Sequence, residues 1–232
     1  MPFSPLANNY NNLVVQLMLV GFMPQGFKQI LAKITREKAP GPSPTFSIFH
    51  ILRAIELMAN KSIGRSKLAE ELEIGEGATR TMINRLKDAG LVITSELGCT
   101  LTREGLKLWD EYNTVFTRKV DIGKSELTLA DYNFAVLVKN HGHKVKSGIE
   151  QRDAAIVIGA KGATTIMLKG RRLIIPSVSD DVAKDFPEAA KSMVRLLQPE
   201  ENDVIVVGSA DSSVRAEYGA LAAAWTIVDN CG

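Results

Sequence analysis

Residues 61–105 read KSIGRSKLAEELEIGEGATRTMINRLKDAGLVITSELGCTLTREG, and the periodicity of this stretch decides the fold. Ser66 stands where it can cap a short helix whose inner face carries Leu68, Ala69 and Leu72. Gly75 and Gly77 are expected to supply the tight turn that leads into a second helix, from about Ala78 to Ala89. Met82, Ile83 and Leu86 recur at helical spacing in it. That spacing turns Arg80, Thr81, Asn84, Arg85 and Lys87 outward together, and Gly90 ends the helix as a C-cap.

Beyond Gly90 the period changes. Leu91-Val-Ile-Thr94 and Thr100-Leu-Thr102 are short strand-like runs around Gly98, a hairpin that forms a wing, and Thr102 is placed to cap another helix. Helix, turn, helix, hairpin, helix is the order of a winged helix-turn-helix. With the phrases Leu68-Ala-Glu-Glu-Leu72, Arg85-Leu-Lys-Asp-Ala-Gly-Leu91 and Leu101-Thr-Arg-Glu-Gly105, it resembles the winged-helix DNA-binding domains of prokaryotic transcriptional regulators. The chemistry of the outward face agrees. Arg80, Asn84 and Lys87, spaced by four and three, offer a guanidinium fork suited to guanine, an amide suited to adenine, and an ammonium for phosphate. Thr81, Arg85, Arg65 and Lys67 complete the expected DNA-binding set. A solvated face in a winged helix that docks on protein is the alternative. The wing carries Glu96 and Leu97 in place of arginines, which disfavours a strong minor-groove contact.

Upstream, Ile48, Ile51, Leu52, Ile55 and Met58 mark a first helix from Ser47 to Ala59, and His50 on it has a packing or solvent-edge role rather than a ligating one. Pro40-Gly-Pro-Ser-Pro44 marks a boundary, so 1–43 is read as an N-terminal segment and hinge, and 44–120 as the winged domain with a connecting helix. Lys28, Lys33, Arg36 and Lys38 are either a solvated helix face or a basic arm. Leu13 to Met23 is too short and too poorly flanked for a membrane span or a signal peptide. It reads as a packed helix, a dimer helix, or residues upstream of a natural start at Met23.

Composition narrows the partners. The 232 residues include 45% hydrophobic and 23% charged side chains, enough to bury two cores. A net charge of +2 implies local, modest DNA binding rather than indiscriminate coating of nucleic acid. Cys99 and Cys231 stand far apart with no CxxC or Cys/His cluster, so no zinc site is expected and a reducing cytoplasm is the simplest setting.

The helix opened by Thr102 carries Leu106, Trp109, Tyr112, Val115 and Phe116 and is expected to run to about Lys119, either against a partner copy or as a linker on its own chain. From Asp121 the pattern becomes mixed, and 121–232 is read as a small two-layer α+β domain with an effector or assembly role. Its expected strands are Phe134 to Val138, Thr164 to Leu168, Arg171 to Ile175 and Val204 to Val207, with a hairpin at Lys169-Gly170. A helix is expected from Gly148 to Ile158, although Ala154 to Ile158 alone fits a buried strand equally well. Another starts at Pro187 with Ala190, Met193, Val194 and Leu197 inward, and a last one has Val214, Tyr218, Leu221, Trp225 and Val228 on one stripe.

Ile74-Gly-Glu-Gly-Ala-Thr-Arg80, Ser147-Gly-Ile-Glu-Gln-Arg-Asp-Ala-Ala-Ile156 and Gly159-Ala-Lys-Gly-Ala-Thr-Thr165, with Pro40 to Pro44 ahead of them, resemble an uncharacterised archaeal family of transcriptional regulators. The resemblance runs from Pro40 to the C-terminus. It implies a winged helix joined to an α+β domain and no established catalysis.

Arg152, Asp153, Lys161, Thr164 and Thr165 are the candidate ligand residues. Arg152 and Asp153 either cap or bridge elements structurally, the favoured reading, or Arg152 holds an anion bidentately; the Gly159 to Thr165 loop can cradle an anion, although it lacks P-loop spacing. His141-Gly-His143 has no third ligand fixed by the sequence and reads as a basic loop, and Val207 to Ser213 reads as a helix cap made by Asp211 or Ser212. No nucleophile elbow, triad order or carboxylate pair occurs, so neither an enzyme nor a cofactor is expected. The expectation is a cytoplasmic, homodimeric regulator that binds double-stranded DNA under control of a small-molecule effector. A winged-helix adaptor docking on transcription or RNA-processing machinery is the alternative.

Overall fold

A computed structural model describes residues 30, 31, 34, 35 and 45–229. The readings of Leu13 to Met23, of the basic residues Lys28 to Lys38 and of the proline cluster lie outside the described residues.

The N-terminal domain is a winged helix: α1 (Ile48–Asn60), α2 (Arg65–Glu71), α3 (Glu76–Asp88), the hairpin β1 (Val92–Ser95) and β2 (Gly98–Leu101), then α4 (Arg103–Val115). Its core joins Ile51, Leu52, Ile55 and Met58 of α1 to Leu68 and Leu72 of α2 and to Met82, Ile83 and Leu86 of α3. Gly90 takes φ 74°, with Gly90 N–H donating to the Lys87 carbonyl (2.8 Å) and Leu91 N–H to that of Leu86 (2.9 Å). That pairing is a Schellman stop, which needs a left-handed residue at this position. Thr102 caps α4 by accepting from Gly105 N–H at 3.1 Å.

Two local readings change. Ser66 does not cap α2: the N-cap is Gly64, and the Ser66 hydroxyl instead donates to Glu76 Oε1 at 2.8 Å. The turn into α3 is made by Glu73 at φ 53°, while Gly75 is an extended N-cap and Gly77 already lies within α3.

The C-terminal domain is a five-stranded antiparallel sheet in the order β3-β4-β7-β5-β6, from β3 (Phe116–Ile122), β4 (Tyr132–Val138), β5 (Gly162–Lys169), β6 (Arg172–Ile174) and β7 (Val204–Ala210). The helices are α5 (Ile149–Val157), α6 (Val182–Asp185), α7 (Pro187–Leu197) and α8 (Ser213–Asp229). The connecting helix therefore ends at Val115, short of the expected Lys119. The Val115 carbonyl accepts from Lys139 N–H at the end of β4 (2.9 Å), and the chain leaves the helix to pair along that strand.

The sheet is covered on both faces, giving three layers where two were expected. Val204 and Val206 of β7 face α5 and α8, whereas Ile205 and Val207 face α6 and α7. A strand buried on both sides needs a layer on each. Val194 of α7 is exposed and Ala189 is buried in its stead. Helix α8 is buried all round from Ala216 to Ala224, more than a single stripe. It also lies unusually close to the sheet. A Cβ on Gly208 would come within 2.4 Å of the Ala216 carbonyl oxygen and the Ala220 nitrogen, so only glycine fits there.

The apolar core runs without a break from the winged helix into the α8 face of the sheet. Tyr112 packs on Phe116 (4.8 Å between ring centroids), Phe116 stacks on Trp225 (6.2 Å), and His50 lies against Tyr218 (4.6 Å).

Candidate nucleic-acid interface

Helix α3 is held at both ends. The Ser66–Glu76 hydrogen bond ties its first turn to α2, and Lys87 Nζ donates to Thr94 Oγ1 of the wing at 3.1 Å. With Met82, Ile83 and Leu86 buried beneath it, the helix presents Arg80, Thr81, Asn84 and Lys87 to solvent from a rigid base. Thr81 Oγ1 donates to the Gly77 carbonyl (3.0 Å). Arg80 and Asn84, one turn apart, make no hydrogen bond or ion pair among the described residues, so all their donors face outward.

Arg85 differs from the expectation. It is half-buried, its Nη1 donates to the Ile34 carbonyl at 2.8 Å, and its guanidinium lies 5.4 Å from the centre of the Phe46 ring. It fastens α3 to upstream chain instead of pointing out with its neighbours. Arg65 opens α2 and is exposed. Lys67 is exposed too but paired with Glu70 (2.9 Å) and Glu71 (3.3 Å), and the hydrogen bond to Glu70 raises its pKa. At the wing, Leu97 is 82% and Ile93 54% exposed, so its surface is apolar and acidic rather than basic. Burial raises the pKa of the Cys99 thiol beneath the hairpin.

The five candidate ligand residues do not converge. Arg152 Nε and Nη2 both donate to the adjacent Asp153 Oδ1 (3.0 and 2.8 Å), and Lys161 Nζ lies 3.0 Å from Asp211 Oδ2. Thr164 and Thr165, being successive strand residues, point to opposite faces of the sheet. The first donates to the Leu127 carbonyl at 2.9 Å, and the second is buried with no hydrogen bond to its Oγ1. Ser212 caps α8, accepting from Arg215 N–H at 3.3 Å. In the His141-Gly-His143 loop, His141 is buried with Nδ1 against the Lys139 carbonyl.

A second charged group escaped the sequence reading. At the junction of the two domains, Arg53 of α1 pairs with Glu217 of α8, and Glu56 of α1 with Lys119 of β3 (2.6 Å). Burial lowers the Lys119 pKa, and Glu56 pulls it back up. The signal was present in sequence as charges inside apolar runs, such as Glu217 next to Ala216 in an alanine-rich helix.

Fold and surface together define a winged helix whose helix α3 presents free polar donors, joined to an antiparallel α+β domain. Residues 47–116 match the family model of the CggR N-terminal DNA binding domain. Residues 129–227 match a model described as a domain of unknown function, DUF4443. Among solved structures, the chain is similar to a hypothetical protein, PH0730, from Pyrococcus horikoshii OT3. That match has a TM-score of 0.62 and 26% identity over 78% of this chain and 91% of that one. Wild-type ZitR of Lactococcus lactis is matched at a TM-score of 0.28 and 19% identity, over 48% of this chain and 74% of that one. No curated protein matches. Among the described residues no helix is long and apolar enough to cross a membrane.

Proposed function

We propose that this chain is a transcription regulator that reads double-stranded DNA through α3, acting as a homodimer under the control of a small ligand. The observation that carries the reading is the pair Arg80 and Asn84, exposed and unengaged one turn apart on a helix fixed at both ends. Their groups are those that make bidentate contacts with guanine and adenine in the major groove. Lys87 and Arg65 flank them as phosphate contacts, with Thr81 alongside, and the likeness of 47–116 to a DNA-binding domain model supports the same use. A homodimer places two such helices on half-sites one helical turn apart.

The test is binding of the full chain to duplex fragments from its own upstream region and to scrambled duplex, across a salt series. A preference for the native fragment that persists as salt rises, while the nonspecific component falls away, is the expected result. Equal, weak binding to both duplexes overturns it in favour of an adaptor that docks on protein.

A further inference from the structure

The junction of the two domains holds an open cleft of about 460 Å³, lined by Arg53 and Glu56 of α1, Lys119 and Asp121 of β3, and Ser213 and Glu217 of α8. Its size suits a small metabolite. Five ionisable side chains from three elements meet here, beside an otherwise apolar core, and their pairing leaves capacity unused. Arg53 and Glu217 satisfy each other. Lys119 does not use its full capacity. Its side chain is only 9% exposed, and although Glu56 Oε2 lies 2.6 Å from its Nζ, none of its three N–H groups meets an acceptor in good hydrogen-bond geometry. The Trp109 and Tyr112 rings, 4.7 and 4.9 Å away, back the ammonium with their faces. Asp121 lies two residues along the same strand, hence on the same side of the sheet and about 7 Å away along the backbone. One of its carboxylate oxygens accepts from the Ser213 hydroxyl (3.1 Å), which leaves the other open.

The cleft thus sets a buried, aromatic-backed ammonium beside a solvent-side carboxylate. We propose that it binds a small zwitterion, an α-amino acid or a close relative, with the ligand carboxylate on Lys119 and the ligand ammonium on Asp121. A simple anion is disfavoured because three carboxylates outnumber two cations in the lining, and a simple cation makes no use of Lys119. A ligand carboxylate competes with Glu56 for Lys119, so binding loosens an ion pair that joins the winged helix to the sheet domain. The consequence for operator affinity rests on the DNA-binding reading above; the binding itself does not.

The experiment is thermal denaturation and calorimetric titration of the full chain with each of the common L-amino acids, with inorganic phosphate as the anion probe and putrescine as the cation probe. At least one amino acid is expected to raise Tm by several degrees. Asp121→Asn, which keeps an acceptor for Ser213, is expected to weaken that binding about tenfold with the unliganded Tm held, and Lys119→Met to abolish it. No shift with any amino acid, shifts with phosphate or putrescine alone, or wild-type affinity in Asp121→Asn would each overturn the proposal. No DNA enters the measurement, so its failure and failure of the DNA-binding reading are told apart.

Discussion

Removing the Glu217 carboxylate leaves Arg53 facing a largely buried gap between the domains. In Glu217→Ala the abandoned guanidinium loses a partner whose side chain is 5% exposed, while its own is 20% exposed. Breaking a fully buried pair from one side costs about 3–5 kcal/mol. Arg53 keeps some compensation, because its Nε donates to the Glu71 carbonyl at 3.2 Å and the Glu71 carboxylate lies 4.0 Å away. Together with the partial exposure this reduces the expected loss to about 2–3 kcal/mol. In a chain of this size that is a fall in Tm of about 4–12 °C, measurable by calorimetry or circular dichroism. The paired change Arg53→Met with Glu217→Leu removes both charges and keeps volume, so it should recover most of the loss. A single variant within about 1 °C of wild type, or a double variant as unstable as the sum of its parts, would refute the claim that this pair couples the domains.

Gly208→Ala forces α8 off β7, because the new methyl meets helix backbone at 2.4 Å; a loss of about 2–3 kcal/mol in urea unfolding is expected. Gly90→Ala places a side chain at φ 74° and should cost about 1 kcal/mol by the same assay, with α3 otherwise intact. Burial lowers the pKa of His50, whose Nδ1 accepts from Ser47 N–H at 2.9 Å. The unfolded chain therefore takes up this proton first as pH falls. Stability from His50 is complete above about pH 6.5, declines as pH drops through the lowered folded value, and then levels off. Urea unfolding between pH 7.5 and 5 should show this slope in wild type and a flatter one in His50→Gln.

Helix α3 was legible because its code is local. Met82, Ile83 and Leu86 repeat with the helical period, and the same period turns Arg80 and Asn84 outward. Thr102 and Gly90 announced their caps by residue type. Misreadings came where a distant segment decided the outcome. Arg85 lies on the same helix, but its partner is the Ile34 carbonyl, 51 residues upstream. Residues 116–119 continue a helical spacing, yet pairing with β4 turns them into strand. Glu73 took a left-handed conformation with two glycines close at hand, which no residue-type rule anticipates. Thr164 and Thr165 looked like one cluster in a loop, and the two-residue alternation of a strand separated them. The Arg53–Glu217 pair, 164 residues apart, is a product of tertiary packing alone.

The most direct measurement is an equilibrium titration of wild type, Arg80→Ala, Asn84→Ala and Arg85→Ala on a duplex that the wild type selects, with the Tm of each protein recorded. Arg80→Ala and Asn84→Ala are each expected to weaken specific binding about 5- to 150-fold at unchanged Tm, while Arg85→Ala lowers Tm and costs less affinity. Wild-type affinity in both Arg80→Ala and Asn84→Ala would contradict the claim that α3 reads DNA.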